Sequence, residues 1–510
     1  MKINYVRNQH LLLKFIVLAM FGFTFISCQS IKGSNEEVLK KDRPNIIYIM
    51  ADDLTTQAIT AYNSRFIGIA DTPNIDRLAN EGMIFQDVLC TNAICGPSRA
   101  TILTGNYNHR NGYYKNWKGG KFDASQWTFP QEFQKAGYAT SLFGKWHLGS
   151  EPQGFDMYKY HDHPIGGQQG VYWDPVYIEN GKKIKEEGYA TNLTTDFALD
   201  WLNNIQKTKQ PFLMLLQFKA PHRPWERDSI YANLWQDRDL PYPSTFNDNY
   251  EGREKTAGDT EMTMAHLFIE TPEGLDKEEA KRWRYQHFIK DYLATVKSVD
   301  DNIGRVLDYL DENGMADNTM IVLTSDQGFY LGDHGFFDKR FIYEESLRMP
   351  FIVRYPKKVE AGSESEAIIG NMDIAPTLLD IAGIETEQPM QGESFASILS
   401  GNKYKNWRDA FYYHYYEYPM WHHVQPHYGV RTDHYTLAHF YYNIDEWELY
   451  DNKKDPEQLN NLIDEPEYAD VVVELKVKLK ELMKKYGDDK SLEEFREITD
   501  KNYDDRVEKE

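Results

Sequence analysis

The sequence predicts an α/β protein, a sheet with helices on both faces, followed by a smaller α+β domain. Three observations carry that reading. Apolar runs of strand length stand at 45–50, 212–218 and 319–324, as expected of strands buried on both faces. Between the last two, Leu293, Val296, Ile303, Val306, Leu307 and Leu310 recur at helical spacing, and Asn313-Gly314 supplies the stop. Each apolar run also ends in acids or a histidine, at Asp52-Asp53, His222 and Ser325-Asp326. Open α/β sheets bind ligands beyond the carboxyl ends of their strands, so three such endings predict one site.

Taken in order, the chain opens with Lys2, Arg7 and Lys14, then the apolar stretch Phe15–Ser27, closed by Cys28. A basic start and a short apolar stretch fit a secretory signal over 1–27, and the stretch is too short to span a bilayer comfortably. Cys28 at its end resembles the lipidated cysteine of bacterial lipoprotein signals. Residues 28–43 then read as a polar tether, and the mature chain as an exported periplasmic or cell-surface lipoprotein held to the membrane by its acyl anchor. The sheet domain is expected over 44–390, with Asp373–Ile381 as a short helix, Pro376 early in it and Gly383 after it. From 391 to 487 the texture changes to an α+β domain. Residues 411–442 hold twelve aromatics and six of the fifteen histidines, and Val471–Lys485 forms an amphipathic helix ended by Gly487. Residues 488–510 are rich in acids and read as a solvated, partly helical tail.

Composition bounds the partners. The 510 residues carry a net charge of −22, which disfavours nucleic acid or any long polyanion held by bulk electrostatics. Hydrophobic content of 41% supplies an ample core. Three cysteines cannot make a disulfide framework, so each needs its own role.

The strand ends carry chemistry. Asp52 and Asp53 are adjacent carboxylates, which repel unless a cation or proton lies between them. Asp326 and Gln327 add a carboxylate and an amide oxygen. Four oxygen donors without a thiolate or imidazole cluster favour a hard cation, Ca²⁺ or Mg²⁺, and the flexible geometry leans toward one Ca²⁺. Asp333-His334, close by, is read as loop structure.

Cys95-Gly96-Pro97-Ser98-Arg99, followed by Leu103-Thr104-Gly105, resembles the signature of the type I sulfatases. In that family the cysteine is oxidised to formylglycine by a formylglycine-generating enzyme. The aldehyde hydrates to a diol: one hydroxyl attacks sulfur, and the other expels sulfate by re-forming the aldehyde. Gly144-Lys145-Trp146-His147, Ala220-Pro221-His222 and Asp338-Lys339-Arg340 resemble further segments of the family in the expected order. The resemblance implies that Lys145 and Lys339 bind the sulfate, that His147 helps deprotonate the diol and that Arg99 stabilises it. His222 is then the general acid at the leaving oxygen. Asp52, Asp53, Asp326 and Gln327 would hold the cation together with residue 95. Asn106 and Gln327 depart from the usual pattern.

The resemblance spans residues 42–465 and implies an alkaline-phosphatase-like sandwich with a central mixed sheet. The segments 338–348 and 446–451 are similar to those of bacterial carbohydrate sulfatases such as N-acetylglucosamine-6-sulfatases. The implied substrate is a sulfated polysaccharide or its oligosaccharides, an algal polysaccharide such as ulvan or a glycosaminoglycan. His423, His427, Arg431 and Trp225, with Arg227 beside the last, are the candidate sugar contacts, and the aromatic stretch 411–442 is expected at the pocket mouth. Cys90 reads as a small core residue. Two alternatives remain: a phosphate or phosphonate ester hydrolase of the same superfamily, or a non-catalytic lipid-anchored glycan-binding protein.

Overall fold

The computed structural model describes residues 43–503, apart from 117–119, 166 and 402–405. Cys28 and the expected signal and most of the tether lie outside the described residues. Strands β1 (Asn45–Ala51), β2 (Met83–Leu89), β3 (Ala139–Gly144), β4 (Met157–His161), β5 (Val176–Glu179) and β6 (Lys182–Lys185) come first. Then follow β7 (Phe212–Phe218), β8 (Thr319–Ser325), β9 (Tyr330–Leu331), β10 (Phe337–Asp338), β11 (Arg348–Arg354), β12 (Ser363–Ser365) and β13 (Ile369–Gly370). The main sheet runs β12-β2-β11-β8-β1-β7-β3-β4-β5-β6, with β13 also beside β2. Strands β8, β1, β7, β3 and β4 are parallel neighbours. β11 lies antiparallel between β2 and β8, and β4, β5 and β6 are antiparallel, so the sheet is mixed.

Alternation along β1 sorts its side chains into two apolar layers, as a period of two requires. Ile46, Tyr48 and Met50 face one layer with Phe129, Phe133 and Leu378. Ile47, Ile49 and Ala51 face the other, with Leu202, Ile289, Val296 and Ile303. The last three lie on the helix Lys277–Glu312, which begins well before the periodic stretch because Asp276 caps it. The Asp276 carboxylate accepts from the N–H groups of Glu278 and Glu279, both at 2.9 Å, while Glu279 accepts from the N–H of Asp276. Each Ile or Leu removed from water in these layers contributes about 1.5–3 kcal/mol before its ordering cost.

The C-terminal sheet is antiparallel in the order β14 (Ala410–Tyr415), β15 (His427–Thr432), β16 (Tyr435–Phe440) and β17 (Glu446–Asp451). The helix Ala469–Tyr486 follows, and Gly487 closes it in the left-handed conformation, at φ 72°. Here two expectations are corrected. The aromatics of 411–442 are mostly core: Tyr412, Tyr413, Tyr415 and Phe440 are fully buried. Over its described residues, 488–503, the acidic C-terminus is partly helical as expected but not wholly solvated, because the helix Leu492–Lys501 buries Phe495 and Thr499. Asp488 is also buried, and it accepts from the hydroxyls of Tyr412 and Tyr416 at 2.9 and 3.0 Å. Of the acids that suggested solvation, Glu493, Glu494, Glu497 and Asp500 stand on the exposed face of that helix. Among the described residues no helix is long and apolar enough to cross a membrane.

Candidate active site

Because β1, β3, β7 and β8 are parallel, their carboxyl ends share one edge. Asp52-Asp53 follows β1, Lys145 follows β3, Lys219 to His222 follows β7, and Asp326-Gln327 follows β8. Gly144 allows β3 to end against β7. Its φ is +103°, and a Cβ there would stand 1.9 Å from the carbonyl oxygen of Gln217. The close approach lets the N–H of Lys145 donate to that oxygen at 2.7 Å, which aims the lysine inward.

The helix Cys95–Thr104 brings the nucleophile candidate. Ile94 precedes it in extended conformation, Gly105 closes it at φ +65°, and all ten helical residues are buried. Cys95 lies at its N-terminus, where unpaired N–H groups and the helix dipole favour negative charge. The N–H of Gly96 is taken up by Asn116 Oδ1 at 2.8 Å. Ser98 and Arg99, both within the motif, grip the end of β8. The Ser98 hydroxyl donates to the carbonyl oxygen of Asp326, and Arg99 Nε donates to Asp326 Oδ2 at 2.9 Å. Arg99 Nη1 also donates to the Lys145 carbonyl and to Gln217 Oε1, each at 3.0 Å.

One atom each from Asp52, Asp53, Cys95 and Asp326 falls within a mutual 4.8 Å. Gln327 Nε2 donates to Asp53 Oδ1 at 2.5 Å. Lys145 contacts Asp52, Lys339 contacts Asp53, and Lys339 Nζ lies 3.4 Å from Cys95 Sγ. Asp52 Oδ1, Asp53 Oδ2 and Gln327 Oε1 are buried and accept no hydrogen bond. Buried oxygens without donors are costly, and this set fits a hard cation well. Burial raises the Asp326 carboxyl above its usual range, and Asp52 adds to the rise. Burial opposes ionisation of Asp52 too, but Lys145 beside it leaves that carboxyl below its usual value.

Around this floor stand the histidines. His222 Nε2 lies 3.9 Å from Asp53 Oδ2, and its Nδ1 bonds the Arg223 carbonyl at 2.9 Å, which makes Nδ1 the donor. Burial, then the charges of Lys145 and Lys339, hold His222 well below the ordinary histidine range. His147, at φ +57°, is held low by burial and by Lys145. A cavity of about 820 Å³ opens above, lined by Cys95, His147, His222 and Lys339.

Several wall residues escaped the sequence reading. Burial, with Lys145 nearby, lowers Lys219 to about 7, and its Nζ donates to the Arg223 carbonyl at 3.0 Å. Arg223, Arg340 and His422 converge on the buried Asp338, with His422 Nε2 at 3.0 Å from it. Lys219 and Arg223 flank the Ala220-Pro221-His222 segment and Arg340 lies within the Asp338-Lys339-Arg340 segment, and that placement was the available signal.

The proposed sugar contacts fare differently. His427 is fully buried in β15, where Nε2 accepts from the N–H of Ile342 at 3.1 Å and the ring stacks on Phe440. Arg431 is 5% exposed and pairs with Glu344 and Asp87. Trp225 is packed edge-on to Phe288 in the core, and Arg227 is bound to Asp291. His423 pairs with Glu261 and lies outside the cavity lining. None of these lines the cavity. From 411–442 it is Trp421 that reaches the lining. Cys90 is a buried free thiol, as expected.

His334 proves more than loop. Fully buried, its Nδ1 lies 2.8 Å from Asp248 Oδ2 and its Nε2 3.7 Å from Glu345 Oε2. Burial opposes its charge, but Asp248 and Glu345 win and raise it to about 9. A raised histidine stabilises fully below its unfolded value of about 6.5 and loses that contribution as pH rises through about 9. Stability should fall across pH 6.5–9, by about 3 kcal/mol at most, and the melting temperature with it. In His334→Phe that slope should flatten; an unchanged slope would assign the effect elsewhere.

Comparison with known proteins accords with this geometry. A sulfatase family model matches residues 44–384, and a model of the N-sulphoglucosamine sulphohydrolase C-terminal region matches 332–485. An N-acetylglucosamine-6-O-sulfatase of Bacteroides thetaiotaomicron is 44% identical, covering 93% of this chain and 91% of that protein. An arylsulfatase of Clostridium perfringens is 28% identical over 86% of this chain and 94% of its own length. A solved structure, described as a complex with its substrate D-glucosamine-2-N,6-O-disulfate, superposes with a TM-score of 0.83 at 44% identity. It covers 88% of this chain and 99% of its own. A phosphonate monoester hydrolase of Agrobacterium radiobacter shares the fold, with a TM-score of 0.70 at 22% identity over 87% of this chain and 96% of its own. The chain belongs to the sulfatase family.

Proposed function

We propose that the chain hydrolyses the 6-O-sulfate ester of glucosamine units in glycosaminoglycan fragments, using formylglycine at position 95 and one Ca²⁺. The observation that carries the chemistry is the convergence of Cys95, Lys145, Lys339 and His222 on one buried acidic floor. The sugar rests on the 44% identity to a protein named N-acetylglucosamine-6-O-sulfatase and to the solved structure described with D-glucosamine-2-N,6-O-disulfate. When present, the hydrated aldehyde supplies a nucleophilic hydroxyl, and the cation, held by Asp52, Asp53, Asp326 and Gln327, supplies fixed positive charge.

The protein's own residues do the rest. Asp52, Asp53 and Asp326 balance Arg99, Lys145 and Lys339, so a divalent cation leaves the floor net positive within an acidic chain. Such a floor suits one sulfate group, with Lys145 and Lys339 directed at its oxygens. His147, held neutral, can accept a proton beside residue 95. His222 is neutral at rest, but a bound sulfate offsets the charges that depress it. Nε2 can then carry the proton that leaves with the sugar alcohol. Arg99 holds Asp326 and the Lys145 backbone in place. The Cys28 signal supports export and an acyl anchor, and the Cys95 motif supports maturation by a formylglycine-generating enzyme.

Purified protein co-expressed with that enzyme should release sulfate from glucosamine 6-O-sulfate. Release from other positions only would overturn the assignment. His222→Ala should lower kcat about 10²–10³-fold on the sugar, whose alkoxide is a poor leaving group. On a nitrophenyl sulfate the loss should be about tenfold at most, because that oxygen departs without a proton. Equal losses on both would remove His222 from the acid role.

A further inference from the structure

The cavity wall changes character toward its mouth. Its floor is charged, yet its rim carries two of the most exposed large apolar side chains among the described residues. Ile165 is 89% exposed and Phe268 is 81% exposed, and both line the cavity together with Trp421. They come from separate segments, Ile165 between β4 and β5 and Phe268 after the short turn Met264–His266, so local chain geometry did not bring them together. Apolar groups left in water beside a binding cleft mark a surface awaiting a partner. Polar groups able to meet hydroxyls stand beside them, namely Gln169, Glu226 and Arg223. Arg223 Nε is buried and makes no hydrogen bond.

The cavity volume, about 820 Å³, lies toward the upper end of the range for sites that enclose drug-sized ligands. One pyranose with its sulfate occupies a fraction of that. In the function proposed above the sulfate is held at the floor by Lys145 and Lys339, which leaves the rim to whatever is joined to that sugar. The face of a sugar ring presents C–H groups and its edge presents hydroxyls, the same division as the rim.

Resting on the function proposed above, we infer that Ile165, Phe268 and Trp421 form a subsite for the sugar joined to the sulfated glucosamine, with Phe268 as its stacking platform. The natural substrate is then an oligosaccharide of at least two units. An aromatic ring offers a large contact area at low ordering cost, because it has only two torsions to fix.

The test compares kcat/KM for glucosamine 6-O-sulfate with that for a disaccharide bearing the same sulfated unit. The wild type should prefer the disaccharide about tenfold, chiefly through KM. In Phe268→Ala, and independently in Ile165→Ser, that ratio should fall to within about twofold of unity. Tyr or Trp at position 268 should restore it. If both variants keep the wild-type ratio, or if the wild type shows no preference, the subsite is overturned while the proposed function stands. If the wild type releases sulfate from neither compound, the proposed function falls and the subsite with it.

Discussion

Replacing Cys95 by alanine should lower sulfate release by about 10⁴-fold or more, and Cys95→Ser should be nearly as damaging. Losses of that order follow when a nucleophile is removed from a site whose other parts act only through it. The thiol itself is a poor substitute. Burial, reinforced by Asp52, pushes it up to about 12, so only about one molecule in 10⁵ is thiolate at neutral pH. Serine restores a hydroxyl but not a second one on the same carbon, so a covalent sulfate formed on it has no internal exit. Mass spectrometry of the peptide bearing residue 95 completes the test. Active preparations should carry the aldehyde, and activity in a preparation with only intact thiol would refute the mechanism. Folding should survive, since the hydrogen-bond partners of the Cys95 sulfur, Asp53 at 4.0 Å and Lys339 at 3.4 Å, also hold one another.

Asp326→Asn should cost about 10³-fold in turnover and remove the response of stability to Ca²⁺. The wild type should melt higher with Ca²⁺ than with a chelator, because a ligand bound only by the folded state adds about 2.7 kcal/mol at a hundred times its Kd. The amide keeps the shape but withdraws a negative charge that faces Asp52 and Arg99. Arg99 then loses its 2.9 Å ionic partner, so some loss of stability is expected with or without cation. The discriminating readout is therefore the difference between the two melts. A variant that still melts higher with Ca²⁺ would remove Asp326 from the ligand set.

The sheet was readable because β1, β7 and β8 are buried on both faces, which forces continuous apolar runs that end where the loops begin. The site was readable because its members sit on those ends or in an ordered motif. Sugar contacts were not, because an aromatic in a buried sheet and an aromatic at a cleft have the same composition. His427 and Arg431 lie on β15, and only tertiary packing reveals that His427 stacks on Phe440 and that Arg431 is consumed by Glu344 and Asp87. Phe268 and Ile165 carry no pattern at all. Phe495 was masked by the acids beside it, since a helix needs few apolar positions to dock.

Arg99 touches the products of three strand ends at once: Asp326 after β8, the Lys145 carbonyl after β3 and Gln217 within β7. The site is thus stitched into the sheet rather than laid on top of it. On heating, it has no separate way to loosen: a strand end cannot slip without breaking bonds that the other two share. Thermal inactivation should therefore follow the cooperative melting of the whole sheet, and amide exchange at the ends of β7 and β8 should be as slow as at their centres.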